Sequence, residues 1–246
     1  MEGNQMIKKQ ILAAIILIIT SLMGVKGQEM VLQQDVDSVP GAGNYGPNKL
    51  HFGHLYLEMG FAIPYPQTEQ KLIKIPLTGS FAAGYRYKLK IFNPLAFILE
   101  AGLRWDNVRF NQFEGKQFPD TDIHSRQILH LSKATTGLGL RFRFGQRGNY
   151  LGRYLDIGVR ETLLMGSRLV QTDPGNNDTG NWYRKTKQIF RGLEYMQDWV
   201  PELFARLGFN RFAITATYRM GPLFLDTVPV ELPKISLGVE TALVRY

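Results

Sequence analysis

The sequence predicts an all-β fold, in which eight antiparallel strands run up and down and close into a barrel. Three observations carry this reading. Apolar and polar residues alternate with a period of two from about His51 to the C-terminus, glycines gather on the polar face, and short connections alternate with long ones. The composition, 44% hydrophobic and 20% charged over 246 residues, is that of a folded chain rather than a disordered or collagen-like one. The chain has no cysteine, which excludes disulfide frameworks, thiolate zinc sites, iron–sulfur clusters and cysteine nucleophiles together.

Before the strands comes a segment of different character. Lys8 and Lys9 precede the apolar run 11–19, which continues to Val25 and ends at the small residue Gly27 before Gln28. Charged, apolar and small residues in that order predict a secretory signal peptide over residues 1–27. The apolar stretch is short for a membrane helix, which needs about 20 residues. Cleavage near Gly27 leaves 26 basic and 20 acidic residues, a net charge of +6. Residues 28–50 read as a loose periplasmic lead-in, and 51–246 as the barrel.

The eight runs follow in order. They are 54–62, with Leu55, Leu57, Met59 and Phe61 on one face; 77–91, with Phe81, Ala83, Tyr85, Tyr87, Leu89 and Ile91; and 95–105, with Leu95, Phe97, Leu99, Ala101, Leu103 and Trp105. Next are 136–144, with Leu138, Leu140, Phe142 and Phe144; 153–163, with Leu155, Ile157 and Val159; and 200–209, with Leu203, Ala205, Leu207 and Phe209. The last two are 211–220, with Phe212, Ile214, Ala216, Tyr218 and Met220, and 234–246, with Ile235, Leu237, Val239 and Leu243. None of these apolar-face positions is charged, and Glu161 marks where the fifth run leaves its apolar environment. Short turns fall at Asn93-Pro94, at 146–148 and around Asn210, and long polar stretches at 63–76, 111–125, 171–198 and 222–233. The stretch 171–198 leaves room for a strand extension or a short helix around a loop tip at 173–180.

The glycines decide which face looks inward. Gly60, Gly84, Gly102, Gly139, Gly158, Gly208 and Gly238 lie on the polar face. Glycine weakens an exposed strand without benefit, whereas a narrow lumen filled with long side chains needs small neighbours. The apolar face then looks out into lipid. The expectation is an eight-stranded antiparallel up-and-down transmembrane β-barrel in a bacterial outer membrane, with both termini periplasmic. A soluble lipocalin-like exported ligand-binding barrel, apolar inside, is the alternative for the same alternation. Tyr65, Trp105, Phe110, Tyr150, Trp182, Trp199 and Tyr218 fall near run ends, where interfacial girdles form. Tyr246 ends an amphipathic last strand of the kind that barrel-assembly machinery reads, although counting back by twos reaches Glu240 and leaves the register of that strand open.

The inward face carries the candidate site, a lumen polar network. Its cations are Arg86, Lys88, Lys90, Arg104, Arg141, Arg143, Arg160, Arg206 and Arg219, and its anions Glu58, Glu100, Asp106, Asp156, Glu202 and Glu240. Side chains fill an eight-stranded interior, so the expectation is a packed ionic core, with cross-strand pairs among Arg86, Glu100 and Arg104 and between Arg219 and Glu240. A narrow anion-selective pore or small-solute site is the alternative.

Other chemistry is weaker. His130-Leu-Ser132 has the spacing of outer-membrane lipid A deacylases, but Lys133 follows and no carboxylate comes before Asp156, so nothing is placed to orient a base and no enzyme is expected. His51 and His54 point to opposite faces of a strand and cannot clasp a metal. Gly137-Leu-Gly139 lies inside a strand rather than before a helix. No cofactor is expected, nor a nucleic-acid partner, because basic residues alternating with apolar ones describe a lumen rather than a docking patch.

At this point the residues resemble a family. The signal segment ending before Gln28, the stretch 147–158 and the ending Ile235-Ser-Leu-Gly-Val239 resemble small outer-membrane β-barrel proteins of Bacteroidota over residues 51–246. The stretch 44–53 resembles the PorT-like branch, which is tied to type IX protein secretion; the later strands do not carry that likeness. The resemblance implies a structural or accessory role in the cell envelope, as a subunit of a secretion, assembly or uptake complex, with outer-membrane lipid and lipopolysaccharide as neighbours. It also implies glycosylation at Asp-Ser/Thr before an apolar residue, which Asp37-Ser-Val39 and Asp226-Thr-Val228 fit.

Overall fold

The structure, a computed structural model, describes residues 43–63, 72–74, 77–144, 148, 150–174, 185–225, 228 and 230–244. The expected signal segment, Tyr65, Trp182, Tyr246 and the Asp37 and Asp226 motifs lie outside the described residues, Val228 apart.

Nine strands form one antiparallel sheet. They are β1 (His51–Ile63), β2 (Gly79–Phe92), β3 (Leu95–Arg109), β4 (Arg126–Phe144), β5 (Arg153–Pro174), β6 (Lys185–Arg191), β7 (Trp199–Phe209), β8 (Phe212–Arg219) and β9 (Ile235–Leu243). Eight of them close a ring in the order β1, β2, β3, β4, β5, β7, β8, β9 and back to β1. The ninth, β6, pairs with the far end of β5 and lies outside the ring. It is the strand extension anticipated in 171–198 and makes nine strands where eight were expected. The turn at Asn210 needs a left-handed residue, φ +57°, a conformation asparagine tolerates better than most.

The faces are those the alternation predicts. Leu55, Met59, Phe81, Leu99, Leu103, Leu138, Ile157, Leu203, Leu207, Ile214 and Val239 are exposed on the outer wall, while Glu58, Arg86, Glu100, Arg104, Asp156, Arg206 and Glu240 are buried inside. This is the reverse of the lipocalin-type arrangement, which requires an apolar interior. The predicted crowding under the glycines is present. A Cβ on Gly208 would lie 2.0 Å from the Tyr154 ring, and one on Gly158 would lie 2.7 Å from that of Phe204. Phe110 corrects the girdle reading: it is buried in the interior, whereas Trp105, Trp199 and Tyr218 are exposed outside.

Strands β4 and β5 run well past the predicted runs, for two reasons. Between Ser132 and Lys133 the register with β5 shifts, leaving Met165 as an extra residue. This bulge moves the outward positions of β5 from odd numbers, such as Ile157 and Leu163, to even ones, such as Arg168. Beyond it the interior also becomes apolar: Val108, Phe110, Leu129, Leu131, Leu169, Val200, Leu223 and Leu232 pack there with Phe118, Met196 and Phe224 from the loops. With apolar residues on the inner face as well, the binary pattern fades.

Candidate functional site: the filled interior

The interior has three layers, each set by which residues point inward at that height. At the short-turn end, Lys88 Nζ donates to the carbonyls of Pro47 (2.8 Å) and Lys49 (2.7 Å), and Lys90 Nζ donates to that of Asn48 (3.4 Å). Arg143 donates to Asn48 Oδ1 and to the carbonyl of Pro47. Tyr45 bridges to His51, so residues 43–50, read from sequence as a loose lead-in, are tied across this mouth. Phe52, Leu151, Tyr154 and Ala242 pack beside them.

The middle layer is ionic. Arg86 binds Glu240 through both terminal nitrogens, at 2.6 and 2.7 Å, and reaches Glu100 at 3.1 Å. Glu100 also accepts from Arg160 at 2.8 Å and from Arg206 at 3.0 Å. Asp156 accepts from its cross-strand neighbour Arg141 at 2.7 and 2.8 Å and from Arg206 at 3.0 Å. Arg104 donates to Glu202 at 2.8 Å and lies 3.8 Å from Glu58, which is 3.6 Å from Arg160. Five guanidinium groups thus face five carboxylates, all buried, and the layer is neutral. Arg160 on β5 approaches Glu58 on β1, the strand diametrically opposite, so the bonds run across the lumen as well as along its wall.

Aromatic rings complete this layer. Arg86 lies over Tyr56 (4.4 Å to the centroid), Arg141 over Tyr154 (3.8 Å), and Arg160 and Arg206 over Phe204. Sequence reading did not select these three rings, although each sits at polar-face parity in an otherwise alternating strand, and that was the available signal.

Two predicted pairs are corrected. Glu240 does not meet Arg219: it binds Arg86 and Arg206, the latter at 2.9 Å, while Arg219 binds Glu231 at 2.7 Å and the carbonyl of Leu232. The register sets Arg219 opposite Glu202 but Glu240 opposite Ala213, at different heights. Likewise Arg104 pairs with Glu202 and Glu58 rather than Glu100, four residues away on its own strand. Glu240 itself faces inward, which fixes the register of β9. Asp106 pairs with Lys133 at 2.7 Å, a cation that the inward face as read from sequence does not include.

Above the ionic layer sits the apolar plug, and between them lies a cavity of about 90 Å³ lined by Arg104, Asp106, Lys133, Glu202, Thr217 and Arg219. That volume has room for a few waters, against about 300–1,000 Å³ for a ligand pocket. Over the plug the loop 110–125 is clasped shut. Lys116 Nζ sits within hydrogen-bond distance of four oxygens, those of Asp120 (3.0 Å), Gln112, Gln127 and the carbonyl of Asp122. His124 bridges Asp120 (3.1 Å) and Asp173 (2.9 Å) through its two ring nitrogens, and Gln127 and Gln171 also donate to Asp120. Partial burial works against protonation of His124, but its bonds to Asp173 and Asp120 outweigh this and raise its pKa. Burial likewise pushes Asp120 up, and the bonds from Lys116 and His124 bring it below the usual carboxylate value.

His130 and Ser132 lie within β4 and face outward; His130 Nδ1 meets Asn107 Oδ1, across the strand pair. His54 is buried in the ring whereas His51 meets Tyr87 outside, so the two do not converge. No group of three or more potential metal ligands occurs among the described residues. Comparison with protein-family models and with curated sequences returned no match.

Proposed function

We propose that the ring is an integral outer-membrane β-barrel without enzymatic activity, acting as a structural or accessory component of the cell envelope. The observation that carries this reading is the inversion of the usual pattern: every ring strand exposes a band of apolar side chains on its outside, and the ionic layer is buried inside. Soluble monomers rarely expose contiguous apolar patches larger than a few hundred Å². On β3 the outward apolar positions run from Leu95 to Trp105, ten residue steps. At about 3.4 Å per residue and a tilt of about 45°, that is about 24 Å, the height of the apolar band of a membrane barrel. Trp105, Trp199 and Tyr218 stand near one edge of this band, as interfacial aromatics do. Among the described residues no helix is long and apolar enough to cross a membrane, so crossing rests on the strands.

The interior supports a closed rather than a conducting barrel. A neutral layer of direct ion pairs, an apolar plug and the docked segment 43–50 follow one another along the axis. Contacts to other envelope components then fall to the loops and the outer wall. In liposome-swelling and single-channel assays the purified barrel is expected to pass no solute, and crosslinking in native outer membranes is expected to capture it in an envelope complex. Steady conductance or solute flux through the wild-type barrel overturns the closed reading.

A further inference from the structure

At one place on the outer wall cations cluster. Above Trp105, the outward positions of β3 to β6 carry Arg109, Arg126, Arg168, Lys187 and Arg191, with His130 and Asn107 among them. None of these five cations lies within ion-pair distance of a carboxylate among the described residues, whereas the inward arginines of the ionic layer all do. The register sets Arg168 directly opposite Arg191, and Arg126 opposite Thr172, which is opposite Lys187. Like charges opposite one another across a strand pair are destabilising unless something neutralises them.

Immediately beside this ledge, a groove of about 420 Å³ runs over the outside of β1 to β4. Met59, Phe61, Leu77, Phe81 and Ile128 give it an apolar floor, and Arg109, Arg126 and His130 a polar rim. By register, Asn107, His130, Arg168 and Arg191 sit one outward position above Trp105, Arg109 two, and Arg126 and Lys187 three. With the rise and tilt used above, the ledge runs from about 5 to about 15 Å beyond the apolar band, starting at the depth of lipid headgroups. The corresponding outward edge of β7 to β9 carries Trp199, Tyr218 and Ile235 and no cation, so the feature is not a general rim.

We propose that the ledge and groove form a docking site for a phosphorylated lipid of the surrounding leaflet. Its phosphate is held at the lower level of the ledge by Arg109, Arg168 and Arg191, with Arg126 and Lys187 farther out, and an acyl chain lies along Met59, Phe61 and Phe81. A guanidinium fork matches phosphate oxygens in bidentate fashion, and an anion here offsets the like-charge contact of Arg168 with Arg191. Groove and ledge together fit an amphiphile better than a free ion, which would use only the cations. The proposal rests on the membrane reading above.

The test reconstitutes the full chain in phosphatidylcholine vesicles containing spin-labelled phosphatidic acid, whose headgroup is a phosphate monoester, and measures the lipid population immobilised by the protein. The wild type is expected to select phosphatidic acid over spin-labelled phosphatidylcholine by roughly tenfold, weakening with salt. A variant with Arg109, Arg126, Arg168 and Arg191 all changed to Gln is expected to fall to near equality, while Arg153→Gln, at the opposite edge, keeps the selectivity. Equal selectivity in wild type and quadruple variant overturns the site. Loss of selectivity in millimolar inorganic phosphate overturns the lipid in favour of a free anion. A chain that does not float with the vesicles fails the membrane reading itself, which separates that failure from this one.

Discussion

Glu100 is the hub of the ionic layer, and Glu100→Gln perturbs it with almost no change of shape. The carboxylate is held by Arg86, Arg160 and Arg206 at 2.8–3.1 Å and is nearly inaccessible to solvent. The substitution leaves a five-to-four excess of guanidinium groups in a layer that is otherwise balanced. Removing one partner of a buried pair costs about 3–5 kcal/mol, against about 0–1 for an exposed pair. For a domain of this size that corresponds to a fall in unfolding temperature of roughly 6–20 °C. The assay is the temperature at which the folded chain in detergent loses its heat-modifiable mobility on a gel. A second variant, Glu100→Gln with Arg206→Met, restores charge balance and is expected to recover part of the loss, so that the two changes are not additive. A fall of less than about 2 °C for Glu100→Gln, or strict additivity in the double variant, refutes the view that charge balance holds the interior closed.

Further predictions follow from the same geometry. Glu240→Leu is expected to lower the unfolding temperature, since it strands Arg86 and Arg206; a rise would place Glu240 on the outer wall. Leu99→Arg and Ile214→Arg, at outward mid-strand positions, are expected to impair vesicle insertion by about 2–4 kcal/mol, while Thr215→Ser inserts normally; normal insertion of both Arg variants contradicts the assignment of faces. Gly208→Ala is expected to destabilise by about 1–3 kcal/mol through overlap with the Tyr154 ring, and adding Tyr154→Leu to relieve it, as read by the same gel-shift melt; no effect of Gly208→Ala would mean that the rings do not press on the wall. The raised pKa of His124 makes the clasp over loop 110–125 fully formed below about pH 6.5 and weaker as pH rises through the folded value. Hydrogen exchange in that loop, corrected for intrinsic rates, is expected to quicken between pH 6 and 9 in the wild type but not in His124→Gln; a loop equally protected across that range contradicts the clasp. Asp120, with its lowered pKa, keeps its carboxylate in the clasp to more acidic pH than an unpaired aspartate would.

Much of this was legible in the sequence where one face of a strand was apolar and the other polar. Leu99 opposite Glu100, or Ile214 opposite Thr215, announced both strand and orientation, and the glycines of the polar face announced a crowded interior. Legibility failed where that contrast was lost. Leu129 and Leu131 point into the apolar plug, so the inner face of upper β4 does not read as polar, and the bulge at Met165 reverses the phase of β5. The pairing of the inward charges was not legible either. Parity gives the face, but which carboxylate Arg219 or Arg104 meets depends on strand tilt and height in the ring, and the partner can come from a loop, as Glu231 does. The excess of cations counted on the inward face resolves in a way that composition could not reveal. Lys88 and Lys90 donate to carbonyl oxygens of the 47–49 segment, and Arg143 also donates to oxygens of that segment.

Whether the apolar outer wall lies in lipid around a filled interior can be probed directly, because the chain has no cysteine. Single cysteines at Leu99, Leu103, Leu207 and Ile214 can each carry a unique spin label in the chain reconstituted in lipid vesicles. Collision rates with oxygen, which partitions into hydrocarbon, and with a water-soluble nickel chelate then report the surroundings of each site. High oxygen and low chelate accessibility are expected at all four positions, and low accessibility to both at Ala96, which points inward on the same strand as Leu99. Chelate accessibility at the outward positions equal to that of a loop site such as Ile123 would contradict a lipid-facing wall.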